Sequence, residues 1–164
     1  EDCEKFLSYC YYPPVGQRSF GPMRAQLVHG SNYFNKANEN IITFAMIETK
    51  QAVENLDEIL SIPNLTGVYI GPADMSSSYG LPPKFDVKED PVFSNIQLIA
   101  EKAKKYGKIA GIHNGSTEYA KEMINIGYKF VTILSDFRVM STHSQNIIDE
   151  MKNKSKVSKN SSTY

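Results

Sequence analysis

From residue 41 onward the chain alternates short apolar runs with segments of helical period, and this alternation constrains the fold more than any other feature. Ile41–Ile47 (IITFAMI) is almost wholly apolar, the pattern of a strand covered on both faces. A helical stretch follows over Thr49–Ile62, with Val53, Leu56 and Leu60 on one stripe and Ala52 and Ile59 beside it. Gly67–Ile70 (GVYI) is a second strand, running into Gly71-Pro72-Ala73-Asp74. A polar loop with Pro82 and Pro83 leads to Asp90-Pro91, an N-cap followed by a first-turn proline. The helix begun there carries Ile96, Ile99 and Ala103 and stops at Gly107. Lys108–His113 reads as a third strand, Thr117–Ile126 as a helix closed by Gly127, and Phe130–Leu134 as a fourth strand. A last helix is expected across Arg138–Lys152.

The order βαβαβαβα predicts a parallel sheet of the α/β class. Four such units in 164 residues fit a small open sheet or the later half of a (β/α)8 barrel, which needs about 250 residues in full. An open doubly wound sheet carries a glycine-rich phosphate turn after its first strand. Here the first strand ends in Glu48-Thr49-Lys50, with no glycine, which argues against a nucleotide fold. Ahead of the sheet, residues 1–40 hold a helix over residues 2–11, the turn-rich stretch Pro13–Pro22 and one or two short helices near 22–38. Residues 154–164 are Lys, Ser and Asn around a single Val157 and read as a disordered polar tail, leaving 1–153 as the folded domain.

Composition removes several function classes. The chain has 18 Lys+Arg against 18 Asp+Glu, and a net charge of zero lacks the basic surplus on which phosphate affinity rests, so no nucleic-acid partner is expected. No apolar run approaches the roughly 18 residues of a membrane span, so no membrane partner is expected either. No basic start followed by an apolar stretch is present, and a cytoplasmic protein is expected. The first residue is Glu1 rather than Met, so the chain is expected to begin inside a longer protein. Cys3 and Cys10 lie seven residues apart; on one helix that is about 10.5 Å along the axis, beyond disulfide reach. Two reduced, packed thiols follow.

Two carboxylates stand out by position. Glu48 follows the first strand directly and Asp74 lies four residues past the second. In parallel α/β folds the strand C-termini open on one face, where active sites gather, so the two would converge there. Paired oxygen ligands suit Mg²⁺ or Mn²⁺, with substrate and water completing the shell. The plainer alternative is that each caps the helix after it. Between them, Gly71 allows close approach to the backbone, Pro72 stiffens the turn, and the small Ala73 leaves space over its own N–H, which suits a bound anion. His113 closes the third strand and is either a contact to substrate or a hydrogen-bonded rim histidine. Taken alone, Arg18 reads as a solvated structural arginine, while His29 and His143 read as surface or packing residues. The basic run in Lys152–Lys159 reads as solubilising.

Taken together, YYPPVGQRSFG, MIETKQAVENLDEIL and GVYIGPADMSSSYG, in this order and spacing, closely resemble the HpcH/HpaI family of metal-dependent 2-oxoacid aldolases. The resemblance runs from Glu1 to the last helix. It implies a (β/α)8 barrel, hexameric in full-length relatives, of which this chain is the C-terminal part with the first three or four strands absent. It implies that Glu48 and Asp74 are the metal ligands and that Ala73, after Gly71, binds the pyruvate carboxylate through its backbone. The implied reaction is reversible aldol cleavage of a 2-oxoacid to pyruvate and an aldehyde, with a divalent cation as Lewis acid stabilising the pyruvate enolate. On this reading Arg18 lies near the site and subunit contacts, and His113 faces the aldehyde portion. The sequence departs from the family at Met46, where relatives have Gln, and the family's catalytic His and Arg precede the region covered. A citrate-lyase-β-like lyase acting on an acyl-CoA is the alternative enzyme, and a non-catalytic assembly module the alternative outside enzymes.

Overall fold

The computed structural model describes residues 1–152. Four strands, β1 (Phe44–Ile47), β2 (Gly67–Ile70), β3 (Ile109–Asn114) and β4 (Phe130–Ile133), form one sheet in sequential order. Every pairing is parallel, as the alternation predicts. The helices are α1 (Asp2–Cys10), α2 (Met23–His29), α3 (Tyr33–Asn40), α4 (Lys50–Glu54), α5 (Leu56–Ser61), α6 (Pro72–Ser78), α7 (Val92–Lys105), α8 (Thr117–Ile126) and α9 (Asp136–Met151). No described helix is long and apolar enough to cross a membrane.

One face of the sheet carries Ile47, Val68, Ile70, Ala110 and Ile112, all buried. Leu56 and Leu60 of α5, Ile96 and Ile99 of α7 and Met123 of α8 close over them. The period of two places the opposite residues on the inner face, where the register sets them in rows. Phe44, Gly67 and Ile109 share one row; Met46, Tyr69, Gly111 and Phe130 share the next. The rings of Phe44 and Phe130 reach across the intervening strands to 5.2 Å, and Tyr69 meets Phe130 at 5.6 Å.

At the N-terminal ends of the strands the backbone is stitched by side chains. Thr43 Oγ1 accepts from the Thr66 N–H and donates to the Asn64 carbonyl, and Thr66 Oγ1 accepts from the Thr43 N–H. Tyr11 donates to the same Asn64 carbonyl at 2.6 Å, anchoring the segment after α1 to the turn before β2. Lys108 Nζ donates to the carbonyls of Ile62 and Leu65, at the end of α5 and in the turn after it. Cys3 and Cys10 are unpaired, as expected.

Several expectations need correction. β1 begins at Phe44 rather than Ile41, because Thr43 is diverted into the threonine pair, and it is not covered on both faces: Met46 is 50% exposed on the inner side. The stretch Thr49–Ile62 is two helices, broken at Asn55, whose φ of −93° and ψ of 14° leave helical geometry. Gly71–Asp74 is not a free loop. Pro72 opens α6, and its serines bond the carbonyls four residues back, Ser76 Oγ to Pro72 and Ser77 Oγ to Ala73. α7 begins at Val92, with Asp90 accepting from the Ser94 N–H and hydroxyl, and α9 begins at Asp136 under a Ser135 cap. The strand limits of β3 and β4 differ from expectation by one residue. The tail 154–164 and nearly all of Lys152–Lys159 lie outside the described residues.

Close packing on the inner face predicts a sharp contrast between glycines. A Cβ on Gly67 would lie 2.1 Å from the Ile109 carbonyl oxygen and 2.7 Å from Phe44 Cε1, whereas one on Gly21 meets nothing within 4 Å. Gly67→Ala is therefore expected to cost about 1–3 kcal/mol in urea unfolding, and Gly21→Ala under about 0.5 kcal/mol.

Candidate active site

The strand register continues for one step past the helix-facing row Ile47, Ile70, Ile112. Glu48, Gly71, His113 and Thr132 thus form the last inner row, at the C-terminal ends of the strands. Contacts bear this out. A Cβ on Gly71 would fall 2.8 Å from Glu48 Oε2 and 3.3 Å from Met46 Cε, so the missing side chain is what seats the Glu48 carboxylate over β2. Asp74 lies in the first turn of α6, and α6 is tied to the segment after β1 by the Lys50 N–H, which donates to Ser78 Oγ at 2.8 Å.

Burial pushes the Glu48 carboxyl above its usual range, and the Asp74 charge pushes it the same way. Ionisation of Glu48 is thus opposed twice, by lost hydration and by like charge. A divalent cation would offset both, so the donor set fits one. Among the described residues no third Asp, Glu, His or Cys joins them, and further ligands would have to come from water or substrate. Ala73 is buried in the first turn of α6, where backbone N–H groups have no intrahelical acceptor.

His113 stands at the other end of the row. Its Nδ1 pairs with Thr132 Oγ1 at 2.9 Å, and the same oxygen pairs with the Tyr69 hydroxyl. Phe85 meets the imidazole edge-on at 4.8 Å. Asp86, beside it, accepts from the Gly115 N–H at 2.7 Å and holds this loop on the end of β3. Burial lowers the His113 pKa, with Asp86 opposing in part, so the ring is neutral near pH 7.

Of the residues singled out from sequence, Glu48, Gly71, Ala73, Asp74 and His113 gather at this end of the sheet. Arg18 is not brought to them. Its guanidinium stacks on Tyr12 at 4.6 Å and bonds the Tyr33 hydroxyl, while neighbouring Tyr11 is anchored at the strands' opposite ends. His29 stacks on Tyr33, also outside the site. Thr132, Tyr69 and Phe85 were missed from sequence. Thr132 is two residues from Phe130 and Tyr69 two from Gly71, but that period means nothing until register is known, and Phe85 lies in a loop that carries no such signal. A cleft of about 860 Å³ runs along the β1 edge between α1 and α4–α5 and reaches Met46 at the margin of this site.

The model of the HpcH/HpaI aldolase/citrate lyase family matches residues 1–142. The chain belongs to that family. Among curated members of the HpcH/HpaI family, a hydroxypyruvate/pyruvate aldolase of Rhizorhabdus wittichii is 39% identical over 147 residues, covering 90% of this chain and 59% of that protein. A 2-keto-3-deoxy-L-rhamnonate aldolase of Salmonella schwarzengrund is 34% identical over 136 residues, covering 81% and 50%. The chain therefore spans between half and three-fifths of these relatives' length. An HpcH/HpaI aldolase structure from Desulfitobacterium hafniense superposes with a TM-score of 0.80 at 21% identity, over 91% of this chain and 58% of that one. The fold is that of HpcH/HpaI barrels, and the sheet is four consecutive βα units of the (β/α)8 architecture.

The seating of Glu48 yields two expected outcomes. Asp74→Asn removes a like charge, so the Glu48 pKa falls toward the ordinary carboxylate value while burial keeps it above; a carboxyl ¹³C NMR titration reads the shift. In Gly71→Ala the clash falls on the flexible end of Glu48, so stability changes by less than about 1 kcal/mol. Divalent-metal affinity, measured by calorimetry, is expected to drop at least tenfold.

Proposed function

We propose that the protein is a metal-dependent aldolase that cleaves or forms a 2-oxoacid, with pyruvate as one product. The observation that carries this reading is the Glu48 carboxylate seated on Gly71 with Asp74 beside it at the strand ends, in a chain whose curated relatives are named pyruvate-type aldolases. Glu48 and Asp74 would hold a Mg²⁺ or Mn²⁺ ion. Bound there, such an ion supplies Lewis acidity to the carbonyl end of a 2-oxoacid.

The chain's own residues do the rest of what falls to this half of the site. The Ala73 N–H, in the first turn of α6, orients the substrate carboxylate. Gly71 lets the Glu48 carboxylate settle over β2, and the open far side of that carboxylate is the floor across which the substrate lies. Met46, half-exposed beside Glu48, walls this floor with an apolar thioether and displaces water, in place of the amide contact that a Gln would offer. Unpaired cysteines fit a cytoplasmic setting. The assembly would be a homo-oligomer, as the HpcH/HpaI resemblance implies.

Solvent deuterium exchange into the pyruvate methyl group, followed by NMR with Mn²⁺- or Mg²⁺-loaded whole protein, isolates proton removal from pyruvate without an aldehyde. Glu48→Gln and Asp74→Asn are each expected to reduce it more than a hundredfold while circular dichroism and melting stay native-like. Undiminished exchange in both variants would remove this reading.

A further inference from the structure

The last inner row has chemistry at two ends. Glu48 directly follows β1 and His113 lies on β3, with only Gly71, just past β2, between them. Two strand spacings separate their backbones by about 10 Å, more than a three-carbon acid held at Glu48 and Asp74 would span. A longer substrate lying over Gly71 reaches His113 with the part that comes from the aldehyde.

The hydrogen bonds fix which face the imidazole offers. Thr132 Oγ1 has one proton to give and meets both the Tyr69 hydroxyl and His113 Nδ1. The phenol is the more acidic hydroxyl, and on that ground we assign Tyr69 as the donor to Thr132 and Thr132 as the donor to Nδ1. A neutral imidazole whose Nδ1 accepts carries its proton on Nε2. That N–H has no hydrogen-bond partner among the described residues, on a side chain that is half-buried against Phe85. An unspent donor in such a setting favours ligands that bring an oxygen and penalises those that do not.

Resting on the aldolase reading, we propose that His113 is a specificity-determining residue, its Nε2–H donating to an oxygen on the aldehyde-derived part of the substrate. The enzyme then selects hydroxylated aldehydes over alkyl ones. Thr132 and Tyr69 are positioning residues that hold the tautomer.

The test compares kcat/KM for glycolaldehyde and acetaldehyde with pyruvate as the common partner, in metal-loaded whole protein. A preference of at least tenfold for glycolaldehyde is expected. His113→Leu should bring the ratio near one, and His113→Gln, which keeps an N–H donor, should restore part of it. The ratio reports selection whatever the substitution does to turnover. Imidazole ¹⁵N shifts give a readout apart from activity: the unsubstituted protein should show the Nε2–H tautomer of His113, and Thr132→Val should mix the tautomers and weaken the preference. A glycolaldehyde preference unchanged in His113→Leu, in a protein that exchanges the pyruvate methyl protons, overturns this inference alone. Failure of the unsubstituted protein to exchange those protons overturns the aldolase reading and this inference with it.

Discussion

The parallel register of the four strands is the constraint on which everything else rests. Side chains alternate across a sheet, so slipping one strand by one residue exchanges its two faces. A slip of β1 would drive Glu48 into the dry layer beneath Leu56 and Leu60 and turn Ile47 outward. The cost of burying a carboxylate without a partner makes that alternative untenable. The helix layer thus enforces the position of residues it never touches. Ile47, Ile70 and Ile112 are packed on one side, and the row one step beyond them is aimed to the other.

The inner face is built on contrast in size. Each of its three rows carries one glycine beside a large neighbour: Gly67 beneath Phe44, Gly111 beneath Tyr69 and Phe130, Gly71 beneath Glu48. In the first two rows the vacancy is filled by aromatic rings, giving a packed floor. In the third it is filled by a carboxylate, whose far side remains open. The same device therefore makes structure at one level and a site at the next.

Much of this was legible in the sequence, and what was not has physical causes. The βα alternation specifies parallel strands because hydrophobic period is a local property, and it located all four. Glu48 and Asp74 were visible because strand ends are visible. Helix α6 was not, since serine is a weak helix former and its stabilisation here comes from hydroxyls bonding carbonyls four residues back. The exposure of β1 was misjudged because Phe44 and Met46 look the same in sequence whether the inner face is filled or bare. Arg18 could be read in sequence only as a choice between a site residue and a structural arginine, because the spacing of a motif does not reveal which end of a sheet it packs against. The Tyr69–Thr132–His113 chain joins three strands and was out of reach, because register between strands is set by tertiary packing.

The two ends of the sheet have divided their labour. At the strand N-termini, Tyr11, Thr43, Thr66 and Lys108 spend their polar atoms on backbone groups and on one another, with nothing left to offer a ligand. At the C-termini the polar atoms are unspent or mutually repelling. A lineage drifting at the first end would lose protein abundance in the cell before it lost turnover per molecule. Drift at the second end would leave the amount of folded protein intact and alter what it acts upon, so new substrate ranges can be sampled without the stability debt that core changes incur.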